Sequence, residues 1–185
     1  MGEGGFKIRN QSAVHFITFS VVEWVDVFTR RCYCDIVIDS LRYCQDNKGL
    51  LVHCWCIMSN HVHLILSAKE NNLSDILRDF KRFTSRNIVS AIIDHSGESR
   101  KNWMVDIFKQ RGDGNKRNEK YQFWQQENHP IEIFSLEFIG QKVCYIHNNP
   151  VKAGFVRSPE NYTYSSAIDY AMREQCGLLK IDFLF

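Results

Sequence analysis

The order strand, helix, strand, strand, helix, strand, then one further helix, predicts an α+β fold: a ferredoxin-like split β-α-β sheet with helices on one face and an extra C-terminal tyrosine-bearing helix. Three observations carry that prediction. Runs of β-branched and aromatic residues mark strands, apolar residues recur at helical spacing in two longer segments, and the polar pair Ser59-Asn60 pinches two apolar runs into a hairpin.

Taken in order, "AVHFITFSVV" (13–22) reads as the first strand. A helix over about 30–48 places Ile36, Leu41 and Tyr43 among its apolar positions and stops at Gly49. "LLVHCWCIM" and "HVHLILS" form the hairpin. A second helix over 73–94 repeats Leu73, Ile76, Leu77, Phe80 and Phe83 on one face and leaves its basic residues largely opposite. Residues 95–120 are polar and rich in charge, and show no clear element. "YQFWQQE" (121–127) is the expected returning strand. A third helix opens at Ser135 and closes at Pro150. The remainder reads as turns and a short helix, with no internal repeat and no second domain. One sheet face is expected to be packed and the other free.

Composition bounds the function classes. The 185 residues suit one domain, 1–185, with a real core. No run approaches the roughly 20 apolar residues of a membrane span, and the first residues lack the apolar stretch of a secretory signal, so a cytoplasmic protein with no membrane partner is expected. The seven cysteines fall in no disulfide pattern and read as reduced packing residues. A net charge of +2 is too mild to indicate nucleic acid. Its distribution says more: Arg78, Lys81, Arg82 and Arg86 share one helix, and seven further cations crowd residues 100–120.

Within "CIMSNHVHLILS" (56–67) two histidines interrupt an apolar strand. Alternation puts His61, His63, Ile65 and Ser67 on one face and Val62, Leu64 and Leu66 on the core face. The two imidazoles then stand about 7 Å apart at the backbone, near enough to converge on one ion. An isolated H-x-H is common on half-exposed sheets, so a companion is needed. Tyr145 is that companion, with Asn149 one helical turn further on the same face. A phenol is a weak nucleophile, and a divalent ion that neutralises charge on a phosphate makes its attack practical.

"MSNHVHLIL", followed about eighty residues later by "YIHNNPVKAGFV", resembles the HUH-type single-tyrosine transposases, most closely the REP-associated tyrosine transposases and related insertion-sequence single-strand transposases. The likeness extends over most of the chain, including Trp124 and a tail matched by Pro159, Tyr162, Ser165 and Ser166. It implies a metal-dependent endonuclease and strand transferase acting on single-stranded or hairpin DNA through a 5′-phosphotyrosine. Carried over, His61 and His63 bind Mg²⁺ or Mn²⁺, Asn149 completes the metal site, and Tyr145 is the nucleophile. Imidazole chemistry alone would sooner name zinc, nickel or copper. His129 and His147 lie nearby in sequence, and His147 reads as structural. Arg78, Lys81, Arg82, Arg86, Lys109 and Arg111 become candidate DNA contacts, with Trp103 and Phe108 as aromatic faces for bases. Family members work as monomers with the site in cis or as homodimers with it in trans.

Two other classes remain in view. A non-catalytic single-strand nucleic-acid-binding module uses the same sheet face, and its binding would ignore chelators and the Tyr145→Phe change. A metal protein built on His61, His63 and thiolates would retain zinc and ignore DNA.

Overall fold

The computed structural model describes residues 8–113, 120–126, 128 and 130–185. Four strands form one antiparallel sheet: β1 (His15–Ser20), β2 (Leu50–Ile57), β3 (His61–Ala68) and β4 (Ile131–Glu132), in the order β2-β3-β1-β4. Helices α1 (Arg31–Lys48) and α2 (Leu73–Asp94) cross one face. This is the split β-α-β arrangement expected from the order of elements.

The layer beneath α1 and α2 follows from strand alternation. Ile17 and Phe19 of β1, Val62, Leu64 and Leu66 of β3, and Trp55 and Ile57 of β2 are all buried against Val37 and Leu41 of α1 and Ile76 and Phe80 of α2. Helix α1 ends where Gly49 takes φ +69°, a conformation glycine adopts at little cost, and the Gly49 N–H bonds to the Cys44 carbonyl. Between Val52 and Cys54 the register of β2 slips, so His53 is the extra residue of a bulge. The bulge returns Cys54 and Cys56 to the opposite face, beside Ile65.

That opposite face is not free. Helix α4 (Leu136–Lys152) roofs it, packing Ile139, Val143 and Ile146 onto Phe16, Cys54, Cys56 and Ile65. The amphipathic stripe of α4 needs an apolar partner, and the sheet face offers the one it takes. Ser135 caps the helix, its side chain accepting from the Phe138 N–H. The helix also runs past Pro150 to Lys152. Proline removes one N–H and disfavours helical backbone in the residue before it. Asn149 stays helical, its side-chain Nδ2 donating to the Tyr145 carbonyl at 2.8 Å.

Three further expectations are corrected. The returning strand is Ile131–Glu132, paired with Phe16 and His15, and the described residues 121–126 form no strand. The earlier segment instead makes a single bridge from Trp124 to Val21, because Phe123 and Trp124 are both buried and cannot alternate. Within the stretch left without an element lies α3 (Lys101–Asp113), whose buried Met104, Phe108 and Gly112 repeat every four residues. Of the seven cysteines, all free, Cys34, Cys44, Cys54 and Cys56 are buried, whereas Cys32, Cys144 and Cys176 are exposed and pack no core. Among the described residues no helix is long and apolar enough to cross a membrane.

Candidate metal and tyrosine site

Register builds the site. Thr18 pairs with His63 across β1 and β3, and Ser20 with His61. The Thr18 hydroxyl lies 2.8 Å from Nδ1 of His63. Asn60, in the hairpin turn, sets Oδ1 2.7 Å from Nδ1 of His61 while its Nδ2 donates to the Trp24 carbonyl and to Asp26 Oδ1. Those donor bonds fix the amide, so Oδ1 is the acceptor and the His61 proton sits on Nδ1. The Nε2 of His61 is left with a bare lone pair.

The two Nε2 atoms are 3.1 Å apart. That spacing suits a hydrogen bond with one proton between the rings and, when Thr18 accepts the Nδ1 proton of His63, it turns both lone pairs toward one point. Two ligands about 2.1 Å from one ion, at right angles about it, sit about 3 Å apart, so the pair fits a divalent cation. An acceptor behind each imidazole is how proteins orient metal-binding histidines. Burial pushes the His63 pKa down to about 3, with His61 and Lys142 adding to the effect. Burial also lowers that of His61, against the pull of Asp26. Both rings are neutral near pH 7, the form that binds metal. Among the described residues no third His, Cys, Asp or Glu joins them.

Helix α4 delivers the tyrosine. The Tyr145 ring is 5.4 Å from that of His63, edge to face, and 6.1 Å from Phe16, which itself stacks on His63 at 5.7 Å. Tyr145 keeps 42% of its surface exposed, whereas His63 keeps 4%. Asn149 stands one turn on, half-buried; its Nδ2 is spent on the Tyr145 carbonyl and its amide oxygen is the remaining donor atom.

Sequence reasoning missed two cations here. Lys142 Nζ lies 4.6 Å from the Phe16 ring centre and 5.8 Å from that of Tyr145, and Lys152 Nζ lies 5.9 Å from that of Tyr145. The signal was present: Phe138, Lys142, Tyr145, Asn149 and Lys152 form one stripe at three- and four-residue spacing. His147 is structural, as read. It is buried with Nε2 2.9 Å from Ser166 Oγ and 3.2 Å from Cys54 Sγ, which pins α4 to β2 and to the tail serine. His129 lies outside the described residues.

The four predicted DNA contacts on α2 do not join this site. Arg78, Lys81, Arg82 and Arg86 ride on α2, across the sheet from Tyr145. Arg78 pairs with Asp75 at 2.6 Å. The Lys81 ammonium donates to the Gln125 carbonyl and to Asn128 Oδ1, and burial brings its pKa down to about 8. Arg82 and Arg86 are exposed. On α3, Lys109 is exposed and Arg111 pairs with Glu23. Trp103 is exposed, but Phe108 is a core residue with no surface to offer a base.

The family model described as "Transposase IS200 like" matches residues 10–108, from before β1 into α3. The chain belongs to the IS200-like transposase family. The match includes both histidines of this family member and stops short of α4. Among solved structures, a REP-associated tyrosine transposase bound to a REP hairpin shares the fold at TM-score 0.62 and 18% identity, covering 100% of this chain and 92% of that one. A candidate transposase from Deinococcus radiodurans R1 aligns at TM-score 0.45 and 17% identity, over 80% of this chain and 97% of that one. A comparison with curated proteins gave no match.

Proposed function

We propose that this transposase is a metal-dependent enzyme that nicks and rejoins single-stranded or hairpin DNA through Tyr145. The observation that carries the reading is the Tyr145 ring 5.4 Å from His63, whose Nε2 shares a 3.1 Å gap with that of His61. The Tyr145 oxygen bonds to phosphorus as the bond from phosphorus to the 3′ oxygen breaks. The phenolic proton goes to water at the exposed end of the ring, and the departing 3′ oxygen takes up a proton. The products are a 5′-phosphotyrosine and a free 3′-hydroxyl, and attack by another 3′-hydroxyl reverses the step and joins the strands.

His61, His63 and the Asn149 amide oxygen are the residues that would hold Mg²⁺ or Mn²⁺, which neutralises charge on the phosphate oxygens when bound. Asn60 and Thr18 hold the imidazoles in the ligand tautomer. Phe16 supports the tyrosine ring, and Lys142 and Lys152 draw the strand's phosphates toward it. The contact between Tyr145 and His63 within one chain supports a site completed in cis, in a monomer or in each half of a homodimer. Arg82 and Lys109, exposed on α2 and α3, are left as outlying phosphate contacts, with Arg78, Arg86 and Arg111 needing to exchange or share their protein partners.

Covalent adducts on a denaturing gel test the proposal. End-labelled single strands flanking the protein's own gene are incubated with Mn²⁺ or with chelator, using wild type, Tyr145→Phe and His63→Ala. An adduct with wild type and Mn²⁺ alone is expected. Binding without any adduct favours the non-catalytic module, and adducts that persist in Tyr145→Phe exclude Tyr145 as nucleophile.

A further inference from the structure

Trp24 is an exposed indole held beside the histidine pair by a turn built to present it. Its ring centre is 6.1 Å from that of His61, edge-on, and 57% of the residue is exposed. Both Glu23 and Trp24 have φ of +53°, a left-handed conformation that L residues adopt only where their surroundings enforce it. The enforcement is visible. The Trp24 N–H bonds to the Val21 carbonyl, Asn60 Nδ2 donates to the Trp24 carbonyl, Glu23 pairs with Arg111, and Arg100 Nη1 donates to the Asp26 carbonyl at 2.7 Å.

Trp55 and Trp124 turn their rings inward at 0% and 4% exposure; Trp103 is exposed as Trp24 is, and Trp24 alone of the four has a ring contact with a site histidine among the described residues. Here every brace acts on the backbone or on neighbours, and more than half of the residue stays exposed. Indole faces bind nucleobases by stacking, without regard to base identity. The two rings stand nearly perpendicular with centres 6.1 Å apart, so a base stacked on the exposed part of the indole would belong to a nucleotide close to any phosphate held at the histidines.

We propose that Trp24 is a stacking platform for the base adjoining the scissile phosphate, and that Asn60, bonded to both Trp24 and His61, keeps platform and metal site in fixed relation. The proposal rests on the DNA-processing reading above. It gives a role to the strained turn that the tyrosine and metal chemistry leaves unexplained.

The test uses the full chain and a series of single strands in which one abasic nucleotide is moved past the cleavage position. Adduct formation is measured for wild type, Trp24→Phe and Trp24→Ala. Trp24→Ala should raise KM about tenfold with kcat little changed, and Trp24→Phe should recover most of the loss. One abasic position beside the cleaved bond should weaken wild type to a similar extent and leave Trp24→Ala no worse. Active wild type with equal losses at every abasic position in both proteins overturns the platform while leaving the nuclease reading intact. Binding in chelator, followed by tryptophan fluorescence, decides independently of chemistry. Quenching that is lost in Trp24→Phe and at that one abasic position supports the platform. Quenching unchanged in Trp24→Phe, or no binding of any strand, overturns it.

Discussion

Glu98→Gln should destabilise the fold by about 3 kcal/mol at pH 7. The Glu98 side chain is fully buried, and its carboxylate accepts from Arg30 Nε at 2.6 Å, from the Tyr33 hydroxyl, and from Arg100 Nε, Nη2 and backbone N–H. The Arg100 side-chain bonds are the largest cause of a pKa held down from 4.5 to about 2, with the Arg100 N–H and Arg30 adding to them against the cost of burial. At about 1.4 kcal/mol for each tenfold change in proton affinity, that difference is worth about 3 kcal/mol. The folded-state pKa lies below the unfolded one, so the contribution is complete above pH 4.5 and is lost as pH falls toward 2. By pH 3 it should shrink to about 1.5 kcal/mol. Glutamine removes the charge and turns an amide N–H₂ toward one of the arginines, so it cannot restore the bonds. Urea unfolding of both proteins at pH 7 and pH 3 gives the numbers directly, with a fall in Tm of roughly 6–12 °C at neutral pH. A gap under about 1 kcal/mol at pH 7, or a gap that does not narrow at pH 3, would refute the reasoning.

Gly140→Ala, with nothing within 4 Å of the added carbon, should raise stability by about 0.5–1 kcal/mol, whereas Gly112→Ala meets the Lys120 carbonyl at 2.7 Å and should lower it despite the better helix former; thermal melts separate the two. Asn60→Ala and Thr18→Val should each weaken Mn²⁺ binding about 10- to 100-fold with His61 and His63 intact, measured by titration calorimetry. Mixing Tyr145→Phe with His63→Ala should restore no adduct if one chain completes its own site, and restored adducts would place the tyrosine in trans.

The sequence carried the fold where periodicity was strong. Helix α2 falls at 73–94 as expected, and α1 begins one residue late, because each buries a regular apolar stripe. Helix α3 escaped notice because only Met104, Phe108 and Gly112 are buried along it, too little apolar surface to mark a period. Strand β4 has two residues and no pattern to find. The pairing of His61 with His63 was legible from alternation alone. The burial of His63 was not, since it depends on α4 closing over the face, and neither was Thr18, which meets His63 only through the β1–β3 register. The charge of Lys81 was legible in the local sequence, whereas its partners at Gln125 and Asn128 were not. Lys142 and Lys152 lay in plain periodicity beside Tyr145, but α2 drew attention by its greater density of charge.

The most direct test of the central claim is to digest the covalent DNA–protein adduct and locate the linked nucleotide by tandem mass spectrometry. The account predicts a nucleotide joined through its 5′ phosphate to Tyr145, with a 3′-hydroxyl on the released strand. Linkage to another residue, or cleaved strands ending in a 3′ phosphate, would contradict it.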